Sequence, residues 1–162
     1  MTILGIDPGY AIVGCGVVDY TANQFRLLEA RAITTQAGEP FDRRLREIYA
    51  GVAGLIEQHR PAAMAIEKLF FNTNAKTAID VAQARGVILL AAAQAGVPVY
   101  EYTPLQVKQS VVGYGRAEKR QVQDMVKLLL RLNACPKPDD VADALAIAIC
   151  CAHSNQSLYR TI

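Results

Sequence analysis

Three β-patterned segments stand together at the start of this chain, and after them helical and β-patterned segments alternate, an order that few architectures accept. Ile3 to Asp7 is a short apolar run stopped by Pro8-Gly9, and Ile12 to Tyr20 with Gln24 to Ile33 reads as a hairpin around Thr21-Ala22-Asn23. From Phe41 the apolar positions Leu45, Ile48, Tyr49, Val52, Leu55 and Ile56 keep helical spacing until Arg60-Pro61, and Ala62 to Ile66 makes a short buried strand. Asn74 is placed to cap a helix reaching about Gln94, and Val97 to Tyr102 is a further strand. Pro104 opens a helical piece to Val112, Ala117 to Leu132 is amphipathic, and a last helix spans Val141 to Ala152. A hairpin followed by such alternation implies an α/β fold, a mixed central β-sheet flanked by α-helices. Gly14 and Gly16 within the second strand suggest that another backbone approaches closely there.

At 162 residues, with 52% hydrophobic and 20% charged residues, the chain is expected to form one domain over residues 1–153, with 154–162 as a flexible tail. Its longest apolar runs, around Val87 to Ala93 and Ala144 to Ala152, fall short of the roughly 18 residues that span a bilayer. No export signal is read, so the expected location is the cytoplasm, without membrane attachment. Cys15, Cys135, Cys150 and Cys151 lack CxxC spacing and read as reduced thiols, not as a disulfide framework or a zinc site.

Four acids sit where a carboxylate is hard to explain structurally. Asp7 closes Ile3-Leu4-Gly5-Ile6, Glu67 closes Met64-Ala65-Ile66, and Asp140 and Asp143 lie one turn apart where the last helix begins. Asp7, Asp140 and Asp143 nevertheless each have a structural explanation when taken singly. Asp-Pro-Gly is good turn chemistry, and acids at a helix start cap it and complement its dipole. Glu67 is harder to explain in this way, because a glutamate directly after a buried strand costs burial energy unless paired or metal-bound. If the four meet, they form a cage of hard oxygen ligands suited to Mg²⁺ or Mn²⁺, and such a cage points to phosphate chemistry. His59 and His153 are not needed as bases in that chemistry and read as ordinary surface residues.

In order along the chain, Ile-Leu-Gly-Ile-Asp-Pro-Gly, Ala-Ile-Glu before Phe70, Gln-Ala-Arg-Gly-Val, Gln-Val-Lys-Gln-Ser-Val-Val-Gly, Ala-Glu-Lys-Arg-Gln-Val-Gln and Asp-Val-Ala-Asp-Ala-Leu-Ala-Ile-Ala resemble the RuvC family of Holliday-junction resolvases. The resemblance covers Ile3 to about Ala152. It implies a ribonuclease H-like fold, a homodimer, and Mg²⁺-dependent cutting of four-way junction DNA in recombination and repair, by paired symmetric incisions. It also implies two ions per active site, with Mn²⁺ as a substitute, and work beside the RuvA–RuvB branch-migration motor. By position, Asp7, Glu67, Asp140 and Asp143 correspond to the family's catalytic metal ligands, with Asp139 an extra acid next to Asp140. Tyr10 and Cys15 depart from commoner residues near the first motif and leave the carboxylates intact.

A net charge of +2 does not by itself announce nucleic acid, but Pro104 to Arg131 carries six basic residues against two acidic ones. Arg116, Lys119 or Arg120, Gln123, Lys127 and Arg131 share a helical face, with Lys108 upstream and Gly113-Tyr114-Gly115 able to approach phosphate. A solvated charged face is the default for such a stripe, and a DNA-backbone track is the functional reading. In the resemblance Lys108 and Lys119 match basic positions near the junction. Phe70-Phe71 either plugs a core edge or stacks on an unpaired base, and Phe70 matches a family aromatic of the second kind. Residues 87–93 are apolar all round and need cover on more than one side, from this subunit or, as the resemblance implies, a second copy, with Ala78, Ala82 and Gln83 beside them.

Other functions are carried less well. Gly-Ile-Asp-Pro-Gly also resembles the first phosphate loop of sugar kinases and actin, but those proteins need a second lobe and further glycine-rich loops. A non-catalytic junction-binding module would leave four carboxylates repelling DNA phosphate. A related nuclease of the same fold, acting on RNA or other branched DNA, shares the carboxylates and differs in surface shape.

Overall fold

The computed structural model describes residues 1–70 and 75–159, with the side chains of 155–159 left aside. Phe71 and the expected cap Asn74 lie outside the described residues. The elements in chain order are β1 (Thr2–Asp7), β2 (Ile12–Thr21), β3 (Gln24–Thr34), α1 (Phe41–His59), β4 (Ala63–Glu67), α2 (Ala75–Gln94), β5 (Val99–Tyr102), α3 (Pro104–Val112), α4 (Lys119–Leu129) and α5 (Asp139–Tyr159). They form one five-stranded sheet of order β3-β2-β1-β4-β5. β2 runs antiparallel to both β1 and β3, while β4 lies parallel to both β1 and β5. The mixed sheet flanked by helices is therefore as the alternation of segments predicts. Ala22 and Asn23 turn the β2–β3 hairpin with φ of 51° and 61°, the left-handed pair that matches strand twist.

Strand alternation sorts the core into two layers. Leu4, Ile6, Met64 and Ile66 face α1 and α2, packing with Ile48, Val52, Leu55 and Ile88. Ile3, Ala63 and Ala65 face the other way, toward Leu145, Ile149 and the inner sides of α3 and α4. α5 is central to this second layer, and Val141 to Ala152 is buried except at Asp143. It continues to Tyr159, through Ser154, where the polar composition reads as a tail. Among the described residues no helix is long and apolar enough to cross a membrane.

α3 begins with a capping box, Thr103 Oγ1 accepting from the Gln106 N–H while the Gln106 side chain accepts from the Thr103 N–H. Gly113 ends it at φ 102°, its N–H donating to the Gln109 carbonyl, so this glycine serves the helix end. α4 follows with a second capping box, between Glu118 and Gln121. The two histidines are not ordinary surface residues. His59 contacts Glu29 at 2.6 Å, and His153 sits edge-on to Tyr20 and Phe25 with Ser110 Oγ 3.1 Å from Nδ1.

Among the described residues α2 is covered on one side only. Ala84, Ile88, Ala91 and Ala92 are buried, whereas Ile79, Ala82, Gly86, Leu90 and Ala93 form an exposed stripe at helical spacing. Leu89 belongs to the inner side and packs on the core.

Candidate active site

β1 and β4 end side by side. Ile6 pairs with Ile66 across the parallel ladder, so Asp7 and Glu67 are the next residues on strands that run about 4.8 Å apart. Side-chain alternation settles their direction. Because Ile3, Ala63 and Ala65 face α5, Asp7 and Glu67, an even number of residues further on, face it too.

α5 meets them with Asp140 and Asp143, three residues apart and so on one helix face. The helix reaches the sheet because β1 and β2 carry glycines at three positions beneath it. A Cβ at Gly5 would collide with the Ala144 carbonyl oxygen and with Ala148, and one at Gly14 would collide with the carbonyl of Asp140. A Cβ at Gly16 would run into the side chain of Leu145. The close approach expected at Gly14 and Gly16 is thus the seating of α5, and Gly5 extends it to β1.

The electrostatics record four like charges held together. Burial first, then Glu67, Asp143 and Asp140, push the Asp7 carboxyl up to about 8. Glu67 is raised by burial and by Asp143, and Asp143 by burial and by Asp139 and Asp140. Lys119 opposes all three shifts. Its ammonium lies 3.2 Å from Asp143 Oδ2 and 3.5 Å from Asp139 Oδ2, and despite some burial these acids raise its own pKa. Asp139 also accepts from Lys137 Nζ at 2.8 Å, which with Lys119 holds its carboxyl below the usual range.

This donor set fits a hard divalent cation. It is all oxygen, and the burial and mutual repulsion that raise Asp7, Glu67 and Asp143 are what a dication offsets. With the side chains as they stand, no three acids, histidines or cysteines among the described residues close on one point, and Lys119 supplies the positive charge among them.

A cavity of about 200 Å³ adjoins the carboxylates, floored by Val107, Val122, Ala146 and Ile147 and rimmed by Glu67, Lys108, Lys119 and Asp143. Both lysines of the sequence reading therefore converge on the acids. Arg116 and Arg120 are exposed on either side of Lys119 in the chain, while Lys127 lies two turns along α4, roughly 12 Å away by helical rise, in a groove with Leu128 and Arg131. Phe70 is exposed three residues after Glu67. A larger groove of about 740 Å³ lies beside Thr34, Arg43 and Arg46, and none of the four carboxylates lines it.

Sequence reasoning placed Lys119 on a backbone track and missed its contact with Asp143. A signal existed, since Lys119 and Arg120 open a helix whose dipole disfavours positive charge at that end. Asp139, read as an extra acid, is the ion-pair partner of two lysines.

Known proteins are similar to this chain over nearly its full length. The family profile described as crossover junction endodeoxyribonuclease RuvC matches residues 3–151. The crossover junction endodeoxyribonuclease RuvC of Caldanaerobacter subterraneus is 58% identical over 160 residues, 99% of this chain and 97% of that protein. That of Moorella thermoacetica is 63% identical over 150 residues, 93% and 90% of the two chains. The Thermus thermophilus RuvC structure superposes with a TM-score of 0.91 at 41% identity, covering 97% of this chain and 96% of that one. The same protein in complex with a Holliday junction substrate gives 0.90 at 39% identity, with the same coverage.

Proposed function

The chain belongs to the RuvC family of crossover junction endodeoxyribonucleases, and on that premise we propose that Asp7, Glu67, Asp140 and Asp143 are the ligands of the divalent metal with which it cuts DNA. Its activity is endonucleolytic hydrolysis of Holliday junctions in recombination and repair, on a ribonuclease H-like fold. The metal is Mg²⁺, two ions per site, with Mn²⁺ able to replace it. Bound there, it supplies neutralisation of the phosphodiester and the leaving oxygen and lowers the pKa of the attacking water.

This chain's own residues do the rest. β1 and β4 hold Asp7 and Glu67 on rigid backbone, and the seating of α5 fixes Asp140 and Asp143 against them. Lys108 and Lys119, on the rim of the cavity, face the phosphates on either side of the cut. Arg116 and Arg120 extend this positive margin, and Lys127 follows the DNA further along α4. Phe70 stacks on a base exposed at the crossover. In the hydrolysis the water oxygen joins phosphorus, one ester P–O bond breaks, and the leaving oxygen takes a proton.

Residues 1–153 act as one nuclease domain, two copies pair through the exposed stripe of α2, and each copy cuts one strand. The assembly works in the cytoplasm beside the RuvA–RuvB motor, a partnership that rests on family membership alone.

The observation that carries the site is the Asp7 carboxyl pushed up to about 8 by burial and by three acids remote in sequence, an arrangement costly to a fold unless a cation uses it. The test is cleavage of four-way junction, linear duplex and RNA–DNA hybrid in Mg²⁺. The wild type cuts the junction preferentially, and Asp7→Asn, Glu67→Gln and Asp143→Asn each lose most cleavage while binding the junction as well or better. Asp140→Asn is similar or milder. Wild-type rates in any of the first three would overturn the ligand assignment.

A further inference from the structure

Asp139 has no place among the four proposed ligands, yet its two oxygens are both engaged. Oδ1 lies 2.8 Å from Lys137 Nζ, and Oδ2 lies 3.5 Å from Lys119 Nζ, which at 3.2 Å also contacts Asp143. One ammonium thus bridges a proposed metal ligand and an acid outside the proposed ligand set. Lys119 carries a long flexible stem and more than half of its side chain is exposed, so it can pivot between the two acids.

An ammonium and a dication that share Asp143 repel each other, so metal entry weakens the hold of the lysine on that carboxylate. If it had nowhere else to go, the metal would have to work against the full loss of the pair. Asp139 offers a second seat, with Lys137 on its other oxygen. The lysine released from Asp143 then remains at the margin, on the side where DNA phosphate arrives.

We propose that Lys119 is an exchangeable internal counter-ion of the carboxylate cluster and that Asp139 is the positioning residue that retains it on the rim while a divalent ion takes Asp143. The inference rests on the metal-site reading above and adds a coupling to it. Metal entry turns Lys119 outward, and an outward Lys119 meets phosphate.

The experiment is Mn²⁺ binding to the full-length protein without DNA, by calorimetry at fixed pH and ionic strength. Lys119→Met, which removes the charge and keeps the stem, tightens Mn²⁺ binding by roughly two- to fivefold, the range of a partly exposed ion pair. Asp139→Asn weakens it by a similar factor, Asp139→Glu restores it, and the Asp139→Asn effect shrinks when Lys119→Met is already present. An unchanged or weaker affinity in Lys119→Met overturns the proposal. So does an equal Asp139→Asn effect in both backgrounds, which would make Asp139 a through-space charge only. Failure of the metal-site reading looks different: the wild type would bind no Mn²⁺, or Asp7→Asn would bind it equally well, and the present inference would fall with it.

Discussion

Gly14 is the cross-strand partner of Asp7, and it is also the surface on which the carbonyl of Asp140 rests. One residue without a side chain therefore sets the distance between the strand that carries the first proposed ligand and the helix that carries two others. Gly14→Ala forces α5 off β2 at its N-terminal turn. The expected outcome is a loss of about 1–3 kcal/mol, the usual cost of overpacking, together with a cleavage loss that excess metal does not rescue. Urea unfolding and a junction-cleavage assay read the two effects, and a variant that cuts at the parental rate would show that the turn accommodates the methyl group.

The raised carboxyl of Asp7 gives stability a definite pH dependence. Its folded value, about 8, is far above the ordinary aspartate value of 3.8, so the folded state holds a proton that the unfolded chain releases. The contribution is fully present below about pH 4 and is lost as pH rises through 8. Asp7→Asn, which cannot ionise, therefore gains melting temperature relative to the parent across that window, at about 2–4 °C per kcal/mol for a chain of this size. Adding Mg²⁺ or Mn²⁺ stabilises the parent, increasingly toward pH 8 because the metal competes with the proton, and does little for Asp7→Asn. Melting curves that stay parallel from pH 4 to 9 would contradict the buried, mutually repelling cluster.

Phe70 is 59% exposed three residues beyond Glu67, so it is not plugging the core of this subunit. Phe70→Ala should leave thermal stability within about 0.5 kcal/mol, as surface substitutions do. It should impair cutting of an intact junction more than of a substrate already opened at the crossover, because an aromatic that stacks on an exposed base matters least where the opening has been done in advance. Equal losses on the two substrates would assign it a packing role.

Much of this arrangement was legible in the sequence because it depends on local pattern. An apolar run that ends on an acid marks a buried strand with a carboxylate at its tip, and Gly14 and Gly16 in a strand marked the approach of α5. What escaped depends on contacts between distant segments. Lys119 reads as part of a DNA-backbone track until α5 brings Asp143 beside it, and Asp139 reads as surplus until Lys137 and Lys119 are seen on its two oxygens. His153 finds its aromatic partners on the β2–β3 hairpin, more than a hundred residues earlier. The continuation of α5 through Ser154-Asn155-Gln156 runs against polar composition, and the small alanines of α2 hid which of its sides the core covers.

The uncovered side of α2 bears on how a junction is resolved. A four-way junction has two equivalent strands to cut, and both incisions must fall before the complex separates. A monomer would have to release and rebind in the opposite orientation, whereas an isologous dimer holds two active sites on one symmetric substrate. The stripe of Ile79, Ala82, Gly86, Leu90 and Ala93 is the apolar surface suited to such a contact, with Ile79 and Leu90 66% and 49% exposed. Leu90→Asp places a charge where the second copy would bury it unpaired, so it should yield a folded monomer that nicks junctions once and loses paired incision. Leu89→Asp should instead unfold the protein, because Leu89 packs on the core of its own subunit. Sedimentation and a two-strand cleavage assay distinguish the outcomes; a parental protein that is monomeric at micromolar concentration and still makes paired cuts would refute the dimer.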